Sequence, residues 1–263
     1  MLSRWLRAWR ENRNAATLQR RAIPDALWQL TLARYPFIAR RAQADLDQLR
    51  RLASLFLDRK EFTGAGGMQV DDEVAVAVAA QACLPVLKLG LERYDGFVGI
   101  VIHPDEVVAQ RVVTDDDGVV HEYDETLTGE AMQGGPVMLS WPDVEGAGES
   151  SAWAYNVVIH EFAHVLDMDG AAAAGNTPAA RQAWLGALTD EYRAFCFEVD
   201  SGQETMIDPY GAEAIEEFFA VCSEAFFVAP EDLLGQHARL YGLMADYYRQ
   251  DPAQPVSDGQ DTA

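Results

Sequence analysis

Residues 156–170 read NVVIHEFAHVLDMDG, which places His160 and His164 four apart with Glu161 directly after the first. On an α-helix, positions i and i+4 stack on one face, so both imidazoles can aim at a single point. Glu161 is rotated about 100° from His160 and is not an equivalent third ligand. It can instead lean toward a water held at an open metal position, the place of a general base. The flanking residues Val157, Val158, Ile159, Phe162, Ala163, Val165 and Leu166 are apolar. Two histidines and a glutamate among them are costly unless something satisfies them. The stretch is therefore expected to be a helix carrying two ligands for one zinc ion per chain.

A zinc site needs a third protein ligand. The extended pattern H-E-x-x-H-x-x-G-x-x-H fails, because Asp167 stands at its glycine and Gly170 at its last histidine. Asp167 is one turn beyond His164 and is expected to orient that imidazole rather than bind metal, while Asp169 stays open as a ligand. Further on, residues 208–227 read DPYGAEAIEEFFAVCSEAFF, with acids beside strongly apolar neighbours. Glu217 and Glu224 share a helical face, as do Glu213 and Glu217. A metal-facing helix here would give one carboxylate to zinc and use another to hold a histidine. Spacing alone leaves Glu216 and Glu217 both open.

Outward from these segments the pattern is helical at both ends and β-rich between. Leu46, Leu49, Leu52, Ala53 and Phe56 recur at spacings of three and four, an amphipathic stripe. Another helix is expected after Pro24, and a third after Asp71 and Asp72, which suit an N-cap and first turn, with an end or bend near Pro85. Short β-branched runs follow in FVGIVIHP, VVAQRVVTDDDGVVHEY and GPVMLSW, with Asp117-Gly118 as a turn signal. Helical patterning returns at about 150–168, 178–199, 213–228 and 231–249. The expected fold is one helix-rich α+β unit with a small mixed or antiparallel sheet, over residues 24–250. A basic leader, 1–23, precedes it and a polar tail, 251–263, follows.

The 263 residues carry a net charge of −22, unevenly spread: residues 1–60 hold 13 Lys+Arg against 5 Asp+Glu, and the remainder 7 against 37. An acidic body repels phosphate backbones and anionic membranes, which argues against direct nucleic-acid binding. Trp5, Leu6 and Trp9 in the leader are spaced to share a helical face that docks on the domain or touches an anionic surface. Gln81, Pro85 and Lys88 interrupt the longest apolar run before it reaches the roughly 20 residues of a membrane span. The leader lacks a secretory core, and Cys83, Cys196 and Cys222 form no C-x-x-C pair. A cytoplasmic protein with buried thiols is expected.

The segments VVIHEFAHVLDM and IDPYGAEAIEEFFAVCSEAFF resemble the Mlc titration factor A family of bacterial zinc peptidases, distant relatives of the anthrax lethal factor catalytic domain. CLPVLKLGLERYDGF, GPVMLSW and LYGLMADYYRQDP extend the resemblance over most of the chain. It implies a zincin-like metallopeptidase with Glu217 as the third ligand beside His160 and His164. It also implies Glu161 as the base and Tyr210 as the phenol that stabilises the oxyanion. Gly211 stands where that family usually has alanine. The implied activity is peptide hydrolysis, aminopeptidase-like, on peptide or protein substrates, with GPVMLSW as the edge strand that pairs with them. The resemblance also implies a different role, binding and sequestering a transcriptional repressor of the Mlc type, with proteolysis secondary or absent.

Overall fold

A computed structural model describes residues 14–105, 107–114, 120–127, 129–131, 134–147, 154–167 and 177–254. The Asp117-Gly118 turn, Asp169 and Gly170, residues 1–13 of the leader and 255–263 of the tail lie outside them. Pro24 precedes α1 (Asp25–Arg34), and Pro36 opens a single turn, α2 (Pro36–Ala39). The stripe read from the sequence becomes α3 (Gln43–Arg59), with Leu46, Leu49, Leu52, Ala53 and Phe56 all buried. Residues 14–21 are helical and dock on α3, where Thr17 Oγ1 donates to Asp58 and Arg59 Nη2 donates to Asn14 Oδ1, each at 3.2 Å. In α4 (Asp72–Cys83), Asp71 caps the N-terminus by accepting from Val74 N–H at 3.0 Å. The helix ends at Cys83, and Leu84 keeps a helical backbone, but Pro85 beyond it has no N–H with which to continue the ladder.

The sheet has four strands: β1 (Glu61–Gly64), β2 (Gly99–His103), β5 (Gly129–Ala131) and β6 (Val137–Ser140), in the order β1-β2-β6-β5. The first three in that order are parallel, and β5 runs antiparallel at the edge. The sheet is mixed, and a separate antiparallel hairpin joins β3 (Val107–Thr114) to β4 (Val120–Leu127). β6 is bonded on both sides, so GPVMLSW is an interior strand, and the edges among the described strands are β1 and β5. The expectation of an edge at 137–140 is corrected by that pairing.

Helices close the other faces: α5 (Trp141–Gly146), α6 (Val157–Asp167), α7 (Pro178–Asp200), α8 (Ile215–Val228), α9 (Pro230–Gln236) and α10 (Ala238–Tyr248). The single helix expected over 231–249 is broken at His237, whose φ of −132° and ψ of 57° leave the helical region. One continuous cluster of buried side chains runs from Ile23 to Tyr248. Within it Phe162 of α6 meets Tyr94, Phe56 and Phe97 at ring-centroid distances of 5.0, 5.7 and 5.8 Å. Burying a side chain of this size contributes about 1.5–3 kcal/mol. It also fixes the roll of α6, and with it the direction in which the histidines point.

Candidate metal centre

The motif helix is set in place by a residue that sequence reasoning passed over. Asn156 Oδ1 accepts from Ile159 N–H at 2.9 Å, an N-cap on α6. Its Nδ2 donates to Gln81 Oε1 of α4 at 2.8 Å, and its backbone N–H donates to Glu224 Oε2 of α8. One buried asparagine thus ties three helices together at the start of α6. The signal was available, since an asparagine directly before an apolar helical run is a helix-start pattern.

Glu224 then reaches the motif itself, its Oε1 2.7 Å from His160 Nδ1. With that carboxylate accepting, Nδ1 carries a proton and Nε2 turns toward the remaining polar groups. His160 Nε2 lies 3.1 Å from His164 Nε2 and 3.1 Å from Glu217 Oε2, and the third side, His164 Nε2 to Glu217 Oε2, is 3.3 Å. Tetrahedral zinc with bonds near 2.0–2.1 Å sets its ligands about 3.3 Å apart. The triangle has that size, and two imidazoles with one carboxylate are the donor set of zinc sites that keep a fourth position open. Glu216, which spacing could not separate from Glu217, is exposed. The roll of α8 is dictated by Phe218 and Phe219, both buried, and it carries Glu217 inward.

The electrostatics call for a cation. Burial pulls His160 down, but hydrogen bonds to Glu217 and Glu224 outweigh it and lift the imidazole to about 10. Burial pushes Glu217 up, yet its hydrogen bonds to His160 and His164 hold it at about 2. A proton is thus trapped between carboxylates where two ring nitrogens and an oxygen converge. A divalent ion satisfies the same lone pairs with more charge.

Glu161 is buried, which lifts its carboxyl to about 7 against the pull of His160 and His164. Its side chain rests on β5: a Cβ added at Gly129 would stand 2.5 Å from Glu161 Oε1 and 2.6 Å from its Cγ. Gly129 was not singled out from the sequence, although a glycine inside a strand marks close approach of another group. Tyr210 sits in the 3₁₀ turn Pro209–Ala212, its ring 6.2 Å from that of His160. Asp208 accepts from Tyr210 N–H at 2.9 Å and shapes that turn. Gly211 has a packing reason, since an added Cβ would meet Val221 Cγ2 at 2.6 Å and Phe195 and Phe218 at 3.3 Å. Asp167 departs from expectation. No hydrogen bond joins it to His164 among the described residues; burial, and then Glu216, raise its carboxyl, while His164 opposes them. The histidine held by a carboxylate is His160, and the carboxylate comes from α8.

The model of the family described as Glucose-regulated metallo-peptidase M90 matches residues 6–249. A Synechocystis protein is 34% identical over 254 residues, 94% of this chain and 90% of its own length. Mlc titration factor A of Cronobacter sakazakii is 34% identical over 250 residues, covering 93% and 91% of the two chains. The protein of the same name from Escherichia coli is 32% identical over 241 residues, covering 89% and 90%. With so full a match, the chain belongs to the M90 family of metallo-peptidases.

Proposed function

We propose that the chain is a zinc-dependent peptidase of the H-E-x-x-H-plus-distant-glutamate type, holding one zinc ion through His160, His164 and Glu217. The observation that carries this reading is the triangle of 3.1, 3.1 and 3.3 Å between two Nε2 atoms and one carboxylate oxygen. When bound there, zinc supplies a water of pKa near 7 and polarises the scissile carbonyl. Glu161 accepts that water's proton and passes it to the leaving amine, a task suited to a carboxyl lifted toward neutrality by burial. The Tyr210 phenol donates a hydrogen bond to the developing oxyanion. An extended peptide pairs along β5, whose outer edge is covered by no strand among the described residues. The acidic body favours an amine-bearing substrate end, hence an aminopeptidase-like preference. Residues 24–250 act as one zincin-like peptidase unit. Its place is the cytoplasm, and no described helix is long and apolar enough to cross a membrane.

The test compares zinc content and peptide hydrolysis in the wild type, Glu161→Gln, Glu217→Ala and Glu216→Ala. Glu161→Gln keeps zinc and stops cleaving, Glu217→Ala loses most zinc, and Glu216→Ala behaves as wild type. Equal cleavage by wild type and Glu161→Gln would remove the base. Peptides with free and acetylated amino ends separate an aminopeptidase from an endopeptidase. A second reading is favoured by the relatives named Mlc titration factor A. On it, the chain binds a transcriptional repressor of the Mlc type, with hydrolysis secondary or absent. Retained binding of such a repressor by a wild type that cleaves nothing selects that role.

A further inference from the structure

Tyr210 is carried by a turn of four residues, Pro209–Ala212. Backbone bonds from Gly211 N–H to Asp208 O at 3.0 Å and from Glu213 N–H to Tyr210 O at 3.1 Å make that turn a unit, so a shift at one of its residues is passed to the others. The start of the unit is shaped by Asp208, and its middle closes on Phe195, Phe218 and Val221 across Gly211. Its end is held from another helix. The Tyr192 hydroxyl of α7 donates to the Ala212 carbonyl oxygen at 3.1 Å. Cys196, one turn further along α7, aims its thiol at the same oxygen from 3.9 Å, as a much weaker donor.

Tyr192 also lies against the helix that supplies the third ligand. Its ring meets that of Phe218, the residue after Glu217, at 5.6 Å between centroids. One side chain therefore ties the turn bearing Tyr210 to the start of α8. Tyr210 itself is 42% exposed, so burial holds its ring only in part, and the seat of the turn supplies the rest.

We propose that Tyr192 is a positioning residue for Tyr210: its hydroxyl clamps the turn through the Ala212 carbonyl and keeps the phenol where it donates to the developing oxyanion. The role of the phenol rests on the peptidase reading above; the clamp does not. Misplacing a group by about 1 Å costs a reaction up to about 100-fold, so one hydroxyl that never touches substrate has a measurable share in the rate.

Tyr192→Phe removes the hydroxyl and keeps the ring against Phe218, so the fold is retained. In chelator-treated protein, amide exchange followed by mass spectrometry reads the clamp without zinc or substrate. Residues 208–213 are expected to exchange about threefold faster or more in Tyr192→Phe, with residues 157–167 unchanged. Equal exchange at 208–213 overturns the clamp. The passage to Tyr210 is read in the zinc-loaded chain by a cycle of wild type, Tyr192→Phe, Tyr210→Phe and the double variant. Each is titrated by calorimetry with the phosphinic analogue of trialanine, whose tetrahedral anion stands in for the intermediate. Tyr210→Phe weakens binding about 100-fold, Tyr192→Phe about tenfold, and the double variant no more than Tyr210→Phe alone. With a peptide substrate, Tyr192→Phe lowers kcat and keeps KM. Additive losses in the cycle show that Tyr192 acts elsewhere and overturn the proposal. A wild type that does not bind the phosphinate, or a Tyr210→Phe that binds it equally well, removes the phenol's role and the positioning role with it. Faster exchange at 208–213 then marks the peptidase reading, and not the clamp, as the part that failed.

Discussion

Replacing Glu224 by glutamine tests the centre most sharply, because it changes one atom in a group that never touches the metal. Glu224 has a side chain 3% exposed and accepts from two donors, His160 Nδ1–H at 2.7 Å and the backbone N–H of Asn156. Glutamine has one acceptor oxygen, so one of those donors must face an amide NH₂. If it is His160, the imidazole loses the carboxylate that fixes its tautomer and raises its basicity. If it is Asn156, a buried N–H at the start of α6 goes unpaired, at about 1–3 kcal/mol. Charge-assisted bonds of this length are worth about 1.5–3 kcal/mol. Loss of such a carboxylate partner lowers metal affinity about 10–100-fold, equivalent to about 1.4–2.7 kcal/mol. Zinc affinity is read by competition against a chromophoric chelator, beside Glu217→Ala as the ligand loss and Glu216→Ala as the exposed control. Glu224→Gln is expected to fall between them. Affinity equal to wild type, with correct folding by circular dichroism, refutes the claim that α8 tunes His160 through this bond.

Gly211→Ala forces a methyl toward the stiff Val221 side chain and should cost about 1–3 kcal/mol in thermal or urea unfolding. The double variant with Val221→Ala recovers part of it, and strict additivity of the two losses contradicts the contact. Gly129→Ala displaces the Glu161 carboxylate while leaving the ligands alone, so zinc content stays whole and peptide turnover falls roughly 100-fold. Zinc loss in that variant would show that Gly129 supports the ligands instead. Metal binding must also expel the proton held by His160, which titrates near 10 without metal. Apparent zinc affinity therefore rises about tenfold per pH unit between pH 7 and 9. In the metal-free chain the sign reverses. The imidazole's folded pKa is above its usual 6.5, so the stability it contributes is complete below pH 6.5 and is lost as pH rises through about 10. Chemical denaturation of chelator-treated protein at pH 6, 8 and 10 checks this, and a flat profile contradicts the trapped proton.

The parts of the centre legible in the sequence are those fixed by one helix. The i, i+4 histidines and the offset glutamate follow from 3.6 residues per turn, and so does the shared face of Glu217 and Glu224. What periodicity could not decide was the roll of α8. Glu216 and Glu217 differ by about 100° around the axis, and only the burial of Phe218 and Phe219 against other elements chooses between them. Asp167 was a reasonable partner for His164 within a single helix, but α8 brings a buried carboxylate to the other histidine. Strand order is likewise a non-local property. Even so, the run VMLS of β6 is apolar up to Ser140, with only Met138 partly exposed, the texture of a strand covered on both faces and flanked on both sides. The edge beside β6 falls instead to three residues, Gly129–Ala131, too short to announce themselves by alternation. The glycine at their start permits a backbone approach to Glu161 that any side chain would block. The edge strand and the general base are thus one steric unit, and lengthening either side chain disturbs the other.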